Sequence, residues 1–220
     1  MITLRSFLFN FILYSSVIPI SIIIIILFPF FKTSALQKIA SKWIFFILYS
    51  LKLICGVSWT IKGSENLPDE PCIIVSNHQG AWESFFLQTL YFPSSSIIKK
   101  ELLYIPFFGW ALACLKPIHL KRSKKLANGV SLIIFPEGTR ARPHKGLKTF
   151  SNSCGLLSVK NNVPIIPICH NSGLFWKNRT FNKHSGEIKV LIGAPLYGEN
   201  AKDATNKAFN WIEKNFKEIN

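Results

Sequence analysis

The sequence predicts an α/β fold, a central mixed sheet covered by helices, behind an N-terminal hydrophobic membrane-anchoring helical segment. Three observations predict it: an uncharged apolar run near the N-terminus, several short continuous apolar runs beyond residue 60 that end in turn residues, and helical spacing between and after those runs. Strands alternating with helices over a chain of 220 residues indicate helices packed on a sheet. That length suits one domain with a full core and an appended segment.

The appended segment is expected at 1–59 and the domain proper at 60–220. Residues 7–31, FLFNFILYSSVIPISIIIIILFPFF, carry no charge. About 20 apolar residues rising 1.5 Å each match a hydrocarbon core of about 30 Å, so the run predicts a transmembrane helix. Pro19 is tolerable where neighbouring groups re-satisfy the freed carbonyl. The run is too long for a secretory signal, and FKTSALQK behind it is a poor cleavage site. Lys32, Lys38 and Lys42 outnumber Arg5 across the run, which places the bulk of the protein on the cytoplasmic side. A second apolar stretch, 43–59, carries Lys52 in its middle and is bracketed by Trp43 and Trp59. It reads either as an interfacial helix or as a core helix of the domain.

In the domain, CIIVS (72–76), SLIIF (131–135), VPIIPI (163–168) and IKVLIG (188–193) read as buried strands. AWESFFLQTLYF (81–92) has helical spacing, with Trp82, Phe85, Phe86 and Leu90 on one wide apolar face. Near the C-terminus, Ala208, Ile212 and Phe216 recur at helical intervals and predict an amphipathic helix.

Lys plus Arg number 26 against 11 Asp plus Glu, a formal charge of +15, which favours a polyanionic partner. With 49% apolar residues and no zinc-finger, RNP-like or basic-heptad pattern, that partner is an anionic membrane surface rather than nucleic acid. Five scattered cysteines with no CxxC pair indicate neither a disulfide framework nor a zinc site, and fit a reducing compartment. GxSxG, HExxH, Walker and GxGxxG patterns are absent.

Three stretches carry chemistry. In SNHQGAWESFF (76–86), His78 precedes Glu83 by five positions. On one regular helix that separation is about 140° around the axis, so the two would not share a face. They meet only if His78 lies in the turn after the CIIVS strand and Glu83 in the first turn of the following helix. A carboxylate on one ring nitrogen then fixes the tautomer and leaves the other nitrogen as a base for a substrate hydroxyl. The alternative is that Asn77 caps the helix while Glu83 is a solvated surface acid. FPEGTR (135–140) offers the backbone amides of Gly138 and Thr139 and the planar fork of Arg140 for a phosphate, with Glu137 orienting Arg140 or holding a substrate hydroxyl. Taken alone, the commoner reading of such a stretch is a Pro-Gly turn with a surface ion pair. Between them, 99–122 is an apolar block flanked by Lys99 and Arg122, whose basic ends suit an anionic headgroup.

Taken in order, NHQGAWE (77–83), KKELLYIPFFGW through IHLKR (99–122), FPEGTR (135–140) and VPIIPI (163–168) resemble the membrane-bound glycerolipid acyltransferases, closest to the 1-acyl-sn-glycerol-3-phosphate acyltransferases. The resemblance covers about residues 60–195. It implies that His78 acts as general base on the free sn-2 hydroxyl of lysophosphatidate, which attacks an acyl thioester on coenzyme A or acyl-carrier protein to give phosphatidate. It further implies that Glu83 orients His78, that Glu137, Gly138, Thr139 and Arg140 bind the acceptor's glycerol phosphate together with Lys99 and Arg122, and that no cofactor or metal is required. The alternatives are another lysophospholipid or lyso-aminolipid as acceptor, or a catalytically weak protein that binds anionic lipid.

The chain departs from the family pattern in three places. Glu83 stands where aspartate is usual, so a methylene has to be absorbed by the local turn. Lys121 stands where an acid often precedes the arginine. Only twelve residues, SKKLANGVSLII, separate Arg122 from Phe135, and a covering helix of several turns is expected to be missing there.

Overall fold

The computed structural model describes residues 1–98, 100–115, 126 and 128–219, with the side chain of Lys100 left aside. Lys99, Lys121 and Arg122 lie outside the described residues, as do Ser123, Lys124, Lys125 and Ala127 of the stretch where a covering helix is expected to be missing. Leu126 is described, and it is buried against Ile73, Val75 and Leu132.

Among the described residues the sheet has six strands: β1 (Val57–Lys62), β2 (Ile73–Ser76), β3 (Ser94–Ser96), β4 (Ser131–Ile134), β5 (Ile165–His170) and β6 (Gly186–Ile192), in the order β1-β6-β5-β2-β4-β3. Only the β5–β6 pair is antiparallel among these neighbours, so the sheet is mixed as the sequence predicts. Each of the four apolar runs forms a strand; β2, β4 and β5 are buried on both faces and need no polar alternation, whereas β6 alternates, with Ile188, Val190 and Ile192 buried and Glu187 and Lys189 exposed. Successive side chains still point to opposite faces, and this divides the core in two.

On one face, Ile74, Ile133, Ile166 and Val190 meet Leu48 and Leu51 of α2 (Thr33–Cys55) and Trp82 of α3 (Trp82–Phe86). On the other, Ile73, Val75, Leu132 and Ile165 meet Leu157 of α5 (Ser153–Asn161) and Ala204, Ala208, Ile212 and Phe216 of α6 (Ala201–Ile219). The regular spacing of these α6 residues is the stripe expected from the sequence.

The stretch 43–59 is two elements. α2 begins earlier, at Thr33, and stops at Cys55 because Gly56 takes the left-handed conformation (φ +70°) that closes a helix; Trp59 then lies on β1. Trp43 donates to the Ser16 hydroxyl at 3.0 Å and Trp59 packs on Trp82, so the two are inward contacts rather than a bracket of interfacial anchors. The outer side of α2 nevertheless exposes Phe45, Phe46, Tyr49 and Leu53.

α1 (Ile2–Leu27) is long and apolar enough to cross a membrane. One side of it is packed on the rest of the molecule from Ser6 through Phe9, Asn10 and Leu13 to Ser21 and Ile24. That seam is about 27 Å long at 1.5 Å per residue. Phe9 meets Trp176 edge-on, the Lys183 amide donates to the Ser6 hydroxyl, and the Lys183 ammonium lies over the rings of Phe9, Trp176 and Phe181. The C-terminal half of α1 rests on α4 (Phe108–Cys114) through Ile24 and Ala111.

Candidate active site

Three adjacent parallel strands, β5, β2 and β4, end side by side, and the turns leaving their carboxyl ends form the site. In open α/β sheets such ends leave a crevice where backbone groups and loop side chains converge. The β2 turn brings Asn77 to Gly80 and then α3, the β4 turn brings Phe135 to Arg140, and the β5 turn brings His170 to Gly173.

His78 and Glu83 meet across the strand-to-helix turn. His78 Nδ1 is 2.9 Å from Glu83 Oε1, and the same oxygen accepts the amides of Gln79 at 2.7 Å and Gly80 at 2.6 Å. Glu83 Oε2 accepts the Ser172 hydroxyl at 2.7 Å. The carboxylate is fully buried. Burial alone pushes its pKa up, but the hydrogen bond from His78, the nearby histidines and the Gly80 amide outweigh it and hold the group well below the usual carboxylate range. An ionised Glu83 only accepts, so His78 carries its proton on Nδ1 and presents Nε2 as a free lone pair. The Glu83 methylene is taken up inside the turn, where α3 is only five residues long and Trp82 and Phe86 stack at 4.5 Å beneath it.

The FPEGTR turn is tied to the histidine. The Phe135 ring stacks on the His78 ring at 4.2 Å, and the Ala141 amide donates to the His78 carbonyl at 2.7 Å. Gly138 supports the turn with φ +67° and open space where a side chain would stand. Gly138, Thr139 and Arg140 are exposed beside His78, as a grip on an anionic ligand requires.

Glu137 differs from expectation. Rather than orienting Arg140, it points inward and accepts the amides of His78 at 2.8 Å and Lys148 at 3.0 Å. Burial raises its pKa, and the two amides partly offset that rise. It braces the turn, while Arg140 donates to Asn178 at 3.1 Å on the surface. Spacing in the sequence gave no sign of Ser172, His170 or Phe135 as neighbours of the pair; the first two are roughly 90 residues away along the chain.

Among the described residues, no three His, Cys, Asp or Glu side chains converge as a metal site would require. The five cysteines are free thiols, and burial pushes that of Cys72 up to about 11. An apolar groove beside α3 is lined by Ile20, Ile24, Trp43, Ile44, Phe85 and Leu112.

A family model described as acyltransferase matches residues 58–171, which contain His78, Glu83 and the FPEGTR turn. The chain belongs to the acyltransferase family. It is 36% identical over 200 residues to the 1-acyl-sn-glycerol-3-phosphate acyltransferase of Pseudomonas aeruginosa, a match covering 82% of this chain and 77% of that one. It is 28% identical to the chloroplastic 1-acyl-sn-glycerol-3-phosphate acyltransferase BAT2 of Brassica napus, covering 86% of this chain and 58% of that protein. The chain thus spans little more than half of the plant relative. The fold resembles the crystal structure of the 1-acyl-sn-glycerophosphate acyltransferase PlsC from Thermotoga maritima, with a TM-score of 0.84 over 98% of this chain and 94% of that one at 22% identity.

Proposed function

We propose that this acyltransferase moves a fatty acyl group from a thioester, on coenzyme A or acyl-carrier protein, to the sn-2 hydroxyl of 1-acyl-glycerol-3-phosphate, giving phosphatidate for phospholipid synthesis. The observation that carries the reading is the His78 Nδ1 to Glu83 Oε1 hydrogen bond of 2.9 Å to a buried, ionised carboxylate. It leaves Nε2 as the base. In the reaction, Nε2 takes the acceptor's hydroxyl proton as the oxygen bonds to the thioester carbonyl carbon. Collapse of the tetrahedral adduct breaks the carbon–sulfur bond, and His78 returns the proton to the departing thiolate. Glu83 stays ionised throughout and stabilises the transient imidazolium. The thioester supplies the activated acyl group, so the step consumes no further cofactor or metal.

In this reading Gly138, Thr139 and Arg140 hold the acceptor's phosphate, a role that their exposure supports, with Glu137 bracing their turn against His78. Lys99 and Arg122 join them by the sequence resemblance alone. The apolar groove lined by Trp43, Phe85 and Leu112 suits an acyl chain, since it opens next to the helix that carries Glu83. The free side of α1 and the exposed aromatic residues of α2 would meet lipid, and a domain on the cytoplasmic side rests on the excess of lysines after α1 in the sequence alone.

The test is acyl transfer by purified membranes from a labelled thioester to lysophosphatidate, with other lysophospholipids as competing acceptors. Activity absent from His78→Ala and strongly reduced in Glu83→Gln supports the reading. Wild-type turnover no greater than that of His78→Ala refutes it, and preference for an acceptor without the phosphate refutes the headgroup assignment.

A further inference from the structure

The two oxygens of Glu83 are held very differently. Oε1 takes three N–H groups, from His78, Gln79 and Gly80. Oε2 is held by the hydroxyl of Ser172 at 2.7 Å. The last torsion of a glutamate is broad, so a grip on one oxygen fixes where the carboxylate is but not the plane in which it lies. A second, lateral hydrogen bond fixes the plane, and the plane sets the direction of the lone pair that meets His78 Nδ1.

Ser172 is itself rigidly placed. It is completely buried, and its amide donates to His170 Nδ1 at 3.3 Å. His170 Nε2 donates in turn to the Asn77 carbonyl at 2.9 Å, which specifies a neutral ring with its proton on Nε2. The Asn77 side chain closes the link in both directions, donating to the His170 carbonyl at 2.9 Å and accepting its amide at 3.1 Å. One residue on, the Gly173 amide donates to Gln79 Oε1 at 3.1 Å. A Cβ at Gly173 would lie 2.6 Å from that of Gln79, so the β5 and β2 turns lie in direct contact.

We propose that Ser172 is a positioning residue for acyl transfer: its hydroxyl locks the plane of the Glu83 carboxylate, and through it the tilt of the His78 ring and the aim of Nε2. The inference rests on the reading of His78 as the base. Phe135, stacked on the imidazole, limits the ring from its face, while the Ser172–Glu83 link limits its rotation from the edge. Removing the hydroxyl leaves every residue that faces substrate in place and loosens only the direction of proton transfer. Its signature is therefore a fall in kcat with both KM values kept.

The experiment compares wild type with Ser172→Ala, Ser172→Cys, Glu83→Gln and the double variant Ser172→Ala/Glu83→Gln, with His78→Ala as the blank, and follows each protein's melting temperature in detergent. Ser172→Ala is expected to lower kcat roughly ten-fold, about 1.4 kcal/mol in the barrier, with KM for thioester and acceptor unchanged within a factor of about two. Ser172→Cys keeps the side-chain shape with a larger sulfur and offers only a weak donor, so it is expected to show the same loss; it also stands in for the alanine variant should that one fail to fold. In the Glu83→Gln background, Ser172→Ala is expected to add nothing, because the route through the carboxylate is already broken. Wild-type kcat in Ser172→Ala, full activity in Ser172→Cys, or an equal further loss in both backgrounds overturns the proposal. If His78→Ala matches an active wild type, it is the reading of the base that fails, and Ser172 with it.

Discussion

Shortening Glu83 by one methylene tests whether this turn is built for glutamate. Glu83→Asp retracts the carboxylate by about 1.5 Å, one carbon–carbon bond. Oε1 now lies 2.9 Å from His78 Nδ1 and Oε2 2.7 Å from the Ser172 hydroxyl, so both contacts would open beyond hydrogen-bonding reach. The helix cannot follow the shorter side chain, since Trp82 and Phe86 on either side are stacked and buried in the core. A hydrogen bond to a charged group contributes about 1.5–3 kcal/mol, so loss of the one to His78 should lower kcat roughly 10- to 100-fold. The missing methylene should also cost about 1 kcal/mol of stability. Initial rates with a labelled thioester over a range of lysophosphatidate concentrations separate kcat from KM, and thermal melting in detergent measures the stability term. A kcat within about three-fold of wild type, or a loss confined to KM, would refute the reasoning and mean that the turn accommodates either acid.

Arg140→Ala should raise the acceptor KM roughly 10-fold or more and leave the thioester KM and kcat nearly unchanged, as loss of a charge-assisted phosphate contact requires; saturation curves for the two substrates check this. Phe9→Ala should destabilise the protein by about 3–5 kcal/mol, because it empties the site shared with Trp176 and Lys183; melting in detergent reads it directly. For pH, burial pushes the Glu83 carboxyl up, yet its hydrogen bonds hold it below its ordinary 4.5. The stability it contributes is therefore complete above pH 4.5 and is lost as pH falls further, through the depressed native value. The difference in melting temperature between wild type and Glu83→Gln should stay constant from about pH 7 to about pH 5 and shrink in stronger acid.

The parts of the fold legible in the sequence were those whose burial leaves a pattern. Ile73 to Val75 and Ile165 to Ile168 are buried on both faces and read as unbroken apolar runs. β1 was not legible: VSWTIK lies at the sheet edge, with only Val57 buried, so neither a run nor a clean alternation marks it. β3 is three serines, defined by pairing with β4 alone, and a backbone ladder writes nothing into side-chain character. The helix expected over 81–92 is shorter than its apolar spacing suggests, passing into a 3-10 turn at Leu87–Thr89. At the site, His78 and Glu83 were legible because one short turn brings them together. Ser172 and His170 arrive from β5, and only the sheet order, which seats β5 beside β2, makes them neighbours.

The seam that binds α1 to the domain has a practical consequence. A detachable anchor can be cut away to leave a soluble catalytic fragment, but here the cut would uncover Trp176 and Lys183 and strip the wall of the groove beside α3. Truncation at residue 32 should thus yield an aggregating, inactive product instead of a soluble enzyme. Purification calls for a detergent that coats the outer side of α1 while sparing the seam beneath it.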